Sequence, residues 1–255
     1  MKTSKKRFYL DSNGITIKCE NTVPGDKGFV DGVEYECVDI ELLRKRIKDG
    51  SDVTRLCTSL VTDMRVMFHN SQFNQPIGNW DVSNVTDMMG MFWGSQFDQS
   101  IRNWNVSNVK NMALMFQFSR FNQSIENWDV SNVTNMRRMF WKSPFNQPMG
   151  NWDVSNVTNM MDMFHNSLFN QPIGRWDVGN VAFMVYMFSS SQFNQPIGNW
   201  NVGNVEFMRQ MFENSPFDQN ISSWCVSRFV TEPDRFSSGC PLSYENKPKW
   251  GTCPD

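Results

Sequence analysis

The chain has only two histidines in 255 residues and balances 24 Lys and Arg against 26 Asp and Glu. It also lacks any apolar stretch near the ~20 residues needed to cross a membrane. Each shortage closes off a class of function. Acid–base or metal chemistry needs dissimilar groups held together, and His69 and His165 occupy equivalent positions four repeats apart, too far for one metal or one proton relay. A net charge of −2 argues against broad electrostatic binding of nucleic acid, which draws on clustered Lys and Arg. The basic cluster at Lys2, Lys5, Lys6 and Arg7 reads as a solvated tail. No phosphate-cradling glycine loop, nucleophile elbow or paired metal-ligand motif is present. The expectation is therefore no enzyme, no cofactor, no metal, no nucleic-acid partner and no membrane insertion. The opening residues are basic, but Phe8, Tyr9 and Leu10 yield at once to Asp11, Ser12, Asn13 and Gly14, leaving no h-region. The chain reads as intracellular or as a trimmed form of a secreted protein.

Cysteine is missing from the whole middle of the chain. The six thiols divide into Cys19, Cys37 and Cys57 before it and Cys225, Cys240 and Cys253 after it. Their number and position suit disulfide-stapled ends in an oxidising compartment, with reduced buried thiols as the alternative. The spacing does not read as zinc.

What fills the middle is a repeat of 24 residues. Tryptophan recurs at Trp80, Trp104, Trp128, Trp152, Trp176, Trp200 and Trp224, and a Met–Phe pair recurs from Met67–Phe68 to Met211–Phe212 without insertion or deletion. A period in this range points to a solenoid, in which no unit buries its apolar side alone and stacking completes the core. In the turn Ile77–Phe97, alternation around Trp80 and Val82 predicts a strand of three to five residues. Asn84 predicts a helix cap, and Val85, Met88, Met91 and Phe92 then fall on one stripe of a short helix. Ser95 fits beneath the next turn, its hydroxyl returned to the backbone. Gln99 and its equivalents predict an amide ladder from turn to turn.

Two sets of outward residues are candidate sites. Asp81, Asn105, Asp129, Asp153, Asp177 and Asn201 form a polar file on the strand face. Calcium or a repetitive glycan is the functional reading of that file, and a solvent-facing ladder is the plain one. Where the copies differ most, the slot after each Met–Phe pair runs His69, Trp93, Gln117, Trp141, His165, Ser189, Glu213, turned toward the outer flank of the expected helix. With Phe118, Arg138 and Tyr186 close by, this variable face offers residue types that anchor interfaces. Its plain reading is that Trp93 and Trp141 cover a neighbouring helix.

The pattern I..W.VSNV..M..MF..S.F.Q, over about residues 53 to 226, resembles the Met- and Phe-rich repeat of BspA-like leucine-rich-repeat surface proteins, also found in mycoplasma lipoproteins. The resemblance implies an α/β solenoid, a leucine-rich-repeat-like right-handed coil with one short parallel strand and one short helix per turn, capped at both ends. It also implies adhesion or protein binding at a cell surface, with no enzymatic activity. Residues 31 to 50 and 222 to 254 are similar to caps seen with this repeat. The expected division is a flexible tail at 1–10, an N-terminal cap of strands plus helix at 11–55, seven repeats at 56–226 and a C-terminal cap at 227–255. Aligned by the repeat, Cys57 and Cys225 share one slot seven rungs apart and so cannot bond to each other. The predicted pairs are Cys225 with Cys253, and Cys57 with Cys37 or Cys19. The expected function is a monomeric recognition module for a protein or glycan, extracellular or at the cell surface, with a cytoplasmic location as the alternative. The alternative function is a structural spacer or self-assembling surface layer.

Overall fold

The N-terminal segment builds a small mixed platform that the repeats then extend. The computed structural model describes residues 5–254. Strands β1 (Arg7–Leu10) and β2 (Ile17–Glu20) pair antiparallel, as do β3 (Lys27–Val30) and β4 (Val33–Cys37). Residues 7 to 10, expected within a flexible tail, are thus a paired strand, while residues 1 to 4 of that tail lie outside the described residues. Helix α1 (Ile40–Lys48) starts at Asp39, whose carboxylate accepts the Leu42 amide at 2.9 Å, and ends with Lys45, Arg46 and Lys48 in its last turn, matching the polarity of the helix dipole. Strand β5 (Leu56–Cys57) then lies parallel to β4 and hands the chain to the first repeat. Among the described residues no helix is long and apolar enough to cross a membrane.

Successive 24-residue copies lie side by side. Parallel bridges join Asp63 to Asp87, Asp87 to Asn111, and so on to Phe183 and Phe207. From each bridge a regular ladder continues along the Met–Phe segment. The Met64, Val66, Phe68 and Asn70 amides donate to the Asp87, Met89, Met91 and Trp93 carbonyls at 2.7–2.9 Å. The amides between them close turns within the copy, as in Met67 to Met64 and Ser71 to Phe68.

This arrangement replaces the expected helix, which is absent from every repeat. A helix sends each amide four residues back along its own chain, whereas here every second amide leaves for the neighbouring copy. The backbone also turns left-handed twice per copy, at Gly90 and Gly94 in one and at Arg138 and Lys142, Asp162 and Asn166, Tyr186 and Ser190 in others. That conformation interrupts any right-handed helix. Nor does Trp80–Val82 form a strand: Trp80 closes a turn onto Ile77 and Val85 one onto Val82, and the parallel pairing sits in the Met–Phe segment. Asn84 does not cap a helix. Its Nδ2 donates to the Ser59 carbonyl one copy earlier, and Asn108, Asn132, Asn156, Asn180 and Asn204 repeat the bond at 2.7–2.8 Å.

The apolar residues do line one continuous core. From the second copy on, Val85, Met88, Met91, Phe92 and Phe97 and their equivalents are fully buried, Phe73 at the first copy being half-buried, and rings of one slot stack on the next. Trp104 and Trp128 lie 6.4 Å apart and nearly parallel, both almost fully buried. Each indole Nε1–H donates to a carbonyl of the preceding copy, Trp104 to Ile77, Trp128 to Ile101 and Trp152 to Ile125 among them. Gln99 and its equivalents bridge copies too, but not to each other: Asn74 Oδ1 accepts both the Asp98 amide and Gln99 Nε2. Gln147, Gln171, Gln195 and Gln219 likewise reach an asparagine of the preceding copy, while Gln123 reaches Asp98 and Gln75 the Ser51 carbonyl. Ring spacing grows from 5.4–5.8 Å in the Phe92 column to 6.1–6.4 Å in the Phe97 column. A hydrogen-bonded ladder holds strands about 4.8 Å apart. Copies related by pure translation would be equally spaced everywhere, so the copies splay, and the ladder is the tight side.

The stack ends by changing this geometry. Gln210, Phe212 and Asn214 donate to Asp234, Phe236 and Ser238, which continues the ladder one step further. Phe236 meets Phe212 edge-on at 89°, and Trp250 meets Phe236 edge-on in turn, so no parallel ring face is left open.

Candidate recognition face

The variable residues lie in the Met–Phe segment on the ladder side of each copy. The slot after the pair is exposed or half-buried at His69, Trp93, Trp141 and His165 but buried at Gln117, Ser189 and Glu213, where the expected outward placement does not hold. Adjacent copies are held at ladder spacing there, which brings side chains of one file into contact. His69 lies 4.3 Å from Trp93 between ring centroids. A second, longer run begins at Phe118, which is 5.2 Å from Trp141. Trp141 meets His165 at 5.6 Å and His165 meets Tyr186 at 5.5 Å, both edge-on. The Arg138 guanidinium sits 4.5 Å over the Trp141 ring and donates to Asp162 at 3.0 Å, and Lys142 reaches over Phe118. Gln117, nearly fully buried, separates the two runs. His69 and His165 stand in different patches and share nothing.

Three groups in this strip bury a polar atom without a hydrogen-bond partner: Gln117 Oε1, Trp141 Nε1 and His165 Nδ1. Burial pushes the His165 imidazole below its usual range, opposed in part by the Asp162 carboxylate 3.8 Å from Nδ1. The ring is therefore neutral near pH 7 and presents both a donor and an acceptor.

The face also carries backbone strain. Leu114, Phe118, Arg138, Lys142, Asp162 and Tyr186 all hold φ between 51° and 63°. Such a conformation costs a residue with a Cβ about 1–2 kcal/mol relative to the right-handed region, and Gly90 and Gly94 occupy the same slots without that cost.

The polar file fares differently. Asp81, Asn105, Asp129, Asp153, Asp177 and Asn201 each accept the backbone amide two residues on, at 3.0–3.2 Å. One oxygen per copy is thus committed to closing a turn. At Asp153 the bonds from Ser155 hold the carboxyl below its usual range.

The cysteines form two groups. Cys225 and Cys253 are joined by a disulfide. Cys19, Cys37 and Cys57 are buried together without one, with Cys19 Sγ 2.7 Å from Cys57 and 3.3 Å from Cys37. Cys57 Sγ donates to Cys19 Sγ and Cys19 Sγ to Cys37 Sγ. Within this cluster the contacts to Cys37 and Cys57 hold the Cys19 pKa down, while the contact to Cys19 and burial raise those of Cys37 and Cys57.

Sequence reading missed one feature of this face. The bridge file runs Asp63, Asp87, Asn111, Asn135, Asn159 and then Phe183 and Phe207, whose rings stack at 5.2 Å with Phe207 about half exposed. The change from Asn to Phe within one file was the available signal. It was hidden because this file was assigned to a helix.

A family model described as Mycoplasma protein of unknown function, DUF285, matches residues 41–146 and again 142–247. No curated protein and no solved structure matches the chain. The description names neither a leucine-rich repeat nor an activity. With two tandem matches that cover most of its length, the chain belongs to this family of repeat proteins of unknown function.

Proposed function

We propose that the chain is a non-enzymatic recognition module, a capped solenoid that binds a protein or a glycan through its ladder face, outside the cell or at its surface. The observation that carries this reading is the run Phe118–Trp141–His165–Tyr186. Four aromatic or imidazole rings from consecutive copies touch in sequence, on a background where every structural slot is filled by the repeat. Two of these positions hold left-handed backbone at residues with bulky side chains, and strain kept where glycine would relieve it points to a demand other than stability. Partly exposed aromatic rings beside Arg138 and Lys142 are the residue types that dominate binding energy when a partner desolvates them.

The test is a binding screen against glycans and surface proteins, comparing wild type with a Trp93→Ala, Trp141→Ala double variant of unchanged melting temperature. Loss of at least about tenfold in affinity is expected for a partner anchored on these rings. Equal binding by both proteins would remove the ladder face from consideration.

A further inference from the structure

A second surface lies away from the ladder, beside the tryptophan column, and it differs from the first in being concave. Pro148, Pro172 and Pro196 form one rail of a groove of about 570 Å³, with Asn151, Arg175 and Asn199 along the other. Its floor is bare because a backbone carbonyl of the next copy stands against each glycine there. A Cβ on Gly150 or Gly174 would stand 2.7 Å from the Pro172 or Pro196 carbonyl oxygen, so glycine is dictated by backbone contact. In the preceding copy the same slot holds Glu126, whose side chain closes one end of the groove and accepts from Asn151 Nδ2 at 3.3 Å.

We propose that this groove binds an extended peptide segment carrying a basic and an acidic side chain about four residues apart. The pitch supports a peptide. Phe145, Phe169 and Phe193, which sit at the start of the segments entering the groove, are spaced 6.4 and 6.3 Å. Two residues of a polyproline II chain advance about 6.2 Å and two of a strand about 6.6 Å. Every second residue of such a segment meets an equivalent subsite one copy on. The charges set its polarity. Glu126 and the exposed Arg175 stand two copies apart, a span of about four extended residues. A glycan is the poorer match, because sugar rings favour aromatic platforms and the nearby Trp152 and Trp176 are almost fully buried.

The inference stands apart from the ladder-face reading, and its test separates the two. Labelled extended peptides are titrated into the full chain by fluorescence polarisation. One carries Lys and Glu about four residues apart, one Lys at both positions and one Glu at both. Wild type should bind the mixed peptide roughly threefold more tightly than either single-sign peptide. Arg175→Glu should transfer the preference to the Lys–Lys peptide, and Glu126→Lys to the Glu–Glu peptide, while Trp141→Ala leaves all three affinities as in wild type. Equal affinities in wild type, or preferences that the two charge reversals fail to move, would overturn the assignment. So would loss of peptide binding in Trp141→Ala, or displacement of the peptides by linear oligosaccharides.

Discussion

Phe140 and Trp141 are neighbours in the chain and belong to regions under different constraints. Phe140 is fully buried in a column of parallel rings, 5.6 Å from Phe116 and 5.8 Å from Phe164, and every copy places phenylalanine there. Trp141 stands on the ladder face in a slot that elsewhere holds His, Trp, Gln, Ser or Glu. The inner region is repetitive because each side chain must match its own image one copy away. The outer region is free of that requirement, and its side chains vary although the backbone beneath them is as regular as anywhere in the molecule.

The sharpest way to break the comparison is to truncate both residues. Phe140→Ala leaves a cavity between two stacked rings and should cost about 3–5 kcal/mol. Trp141→Ala, read in the same urea titration, should cost about 1–2 kcal/mol, the scale of its aromatic and cation–π contacts. Equal losses would make the ladder face a second core. A subtler inner change is Trp128→Phe, which deletes the Nε1–H bond to the Ile101 carbonyl and leaves that oxygen the Trp104 amide as its remaining donor. A loss of about 0.5–1.5 kcal/mol, the net value of one hydrogen bond, is expected.

Much of the inner region was legible because its signal is spacing. The Trp and Met–Phe beats identified the residues that bury, and they do so in every copy. The local backbone was not legible. Apolar residues at 85, 88, 91 and 92 satisfy a helical stripe, yet two consecutive turns with a left-handed residue in each bury the same positions. Gly90 and Gly94, and Asn70, Asn166 and Asn214 in the Gly94 slot, are residue types that favour that conformation, while Arg138 and Tyr186 adopt it without any marker in their chemistry. Asn84 misleads for a related reason: an amide suited to capping a helix is equally suited to bonding a carbonyl in the preceding copy. An outward reading of the variable slot holds at His69, Trp93, Trp141 and His165 and fails at Gln117, Ser189 and Glu213, and a helix flank conceals that neighbouring copies touch there. The groove gave no sequence signal, since proline and glycine at those slots read as turn residues.

Two smaller effects sharpen the contrast. His165 titrates below its usual 6.5 because it is partly buried. Above that pH the ring is neutral in folded and unfolded chains alike and contributes nothing. As pH falls through 6.5 the unfolded chain takes up a proton that the folded one resists, so stability is lost. The urea midpoint should therefore drop on moving from about pH 7 to about pH 5, and by less in His165→Gln. Smallest is the relief of strain on the outer face. Ser190 holds φ at 54°, and Ser190→Gly should raise stability by up to about 1 kcal/mol, visible as a small increase in melting temperature. A decrease would mean that the left-handed slots carry no strain to relieve.

The ladder itself is open to direct observation through scalar couplings across hydrogen bonds in isotope-labelled protein. The Phe116 amide donates to the Met139 carbonyl at 2.9 Å, 23 residues ahead. A coupling between the Phe116 nitrogen and the Met139 carbonyl carbon is expected, and a coupling from Phe116 to the Met112 carbonyl, the partner it would have in a helix, would contradict it.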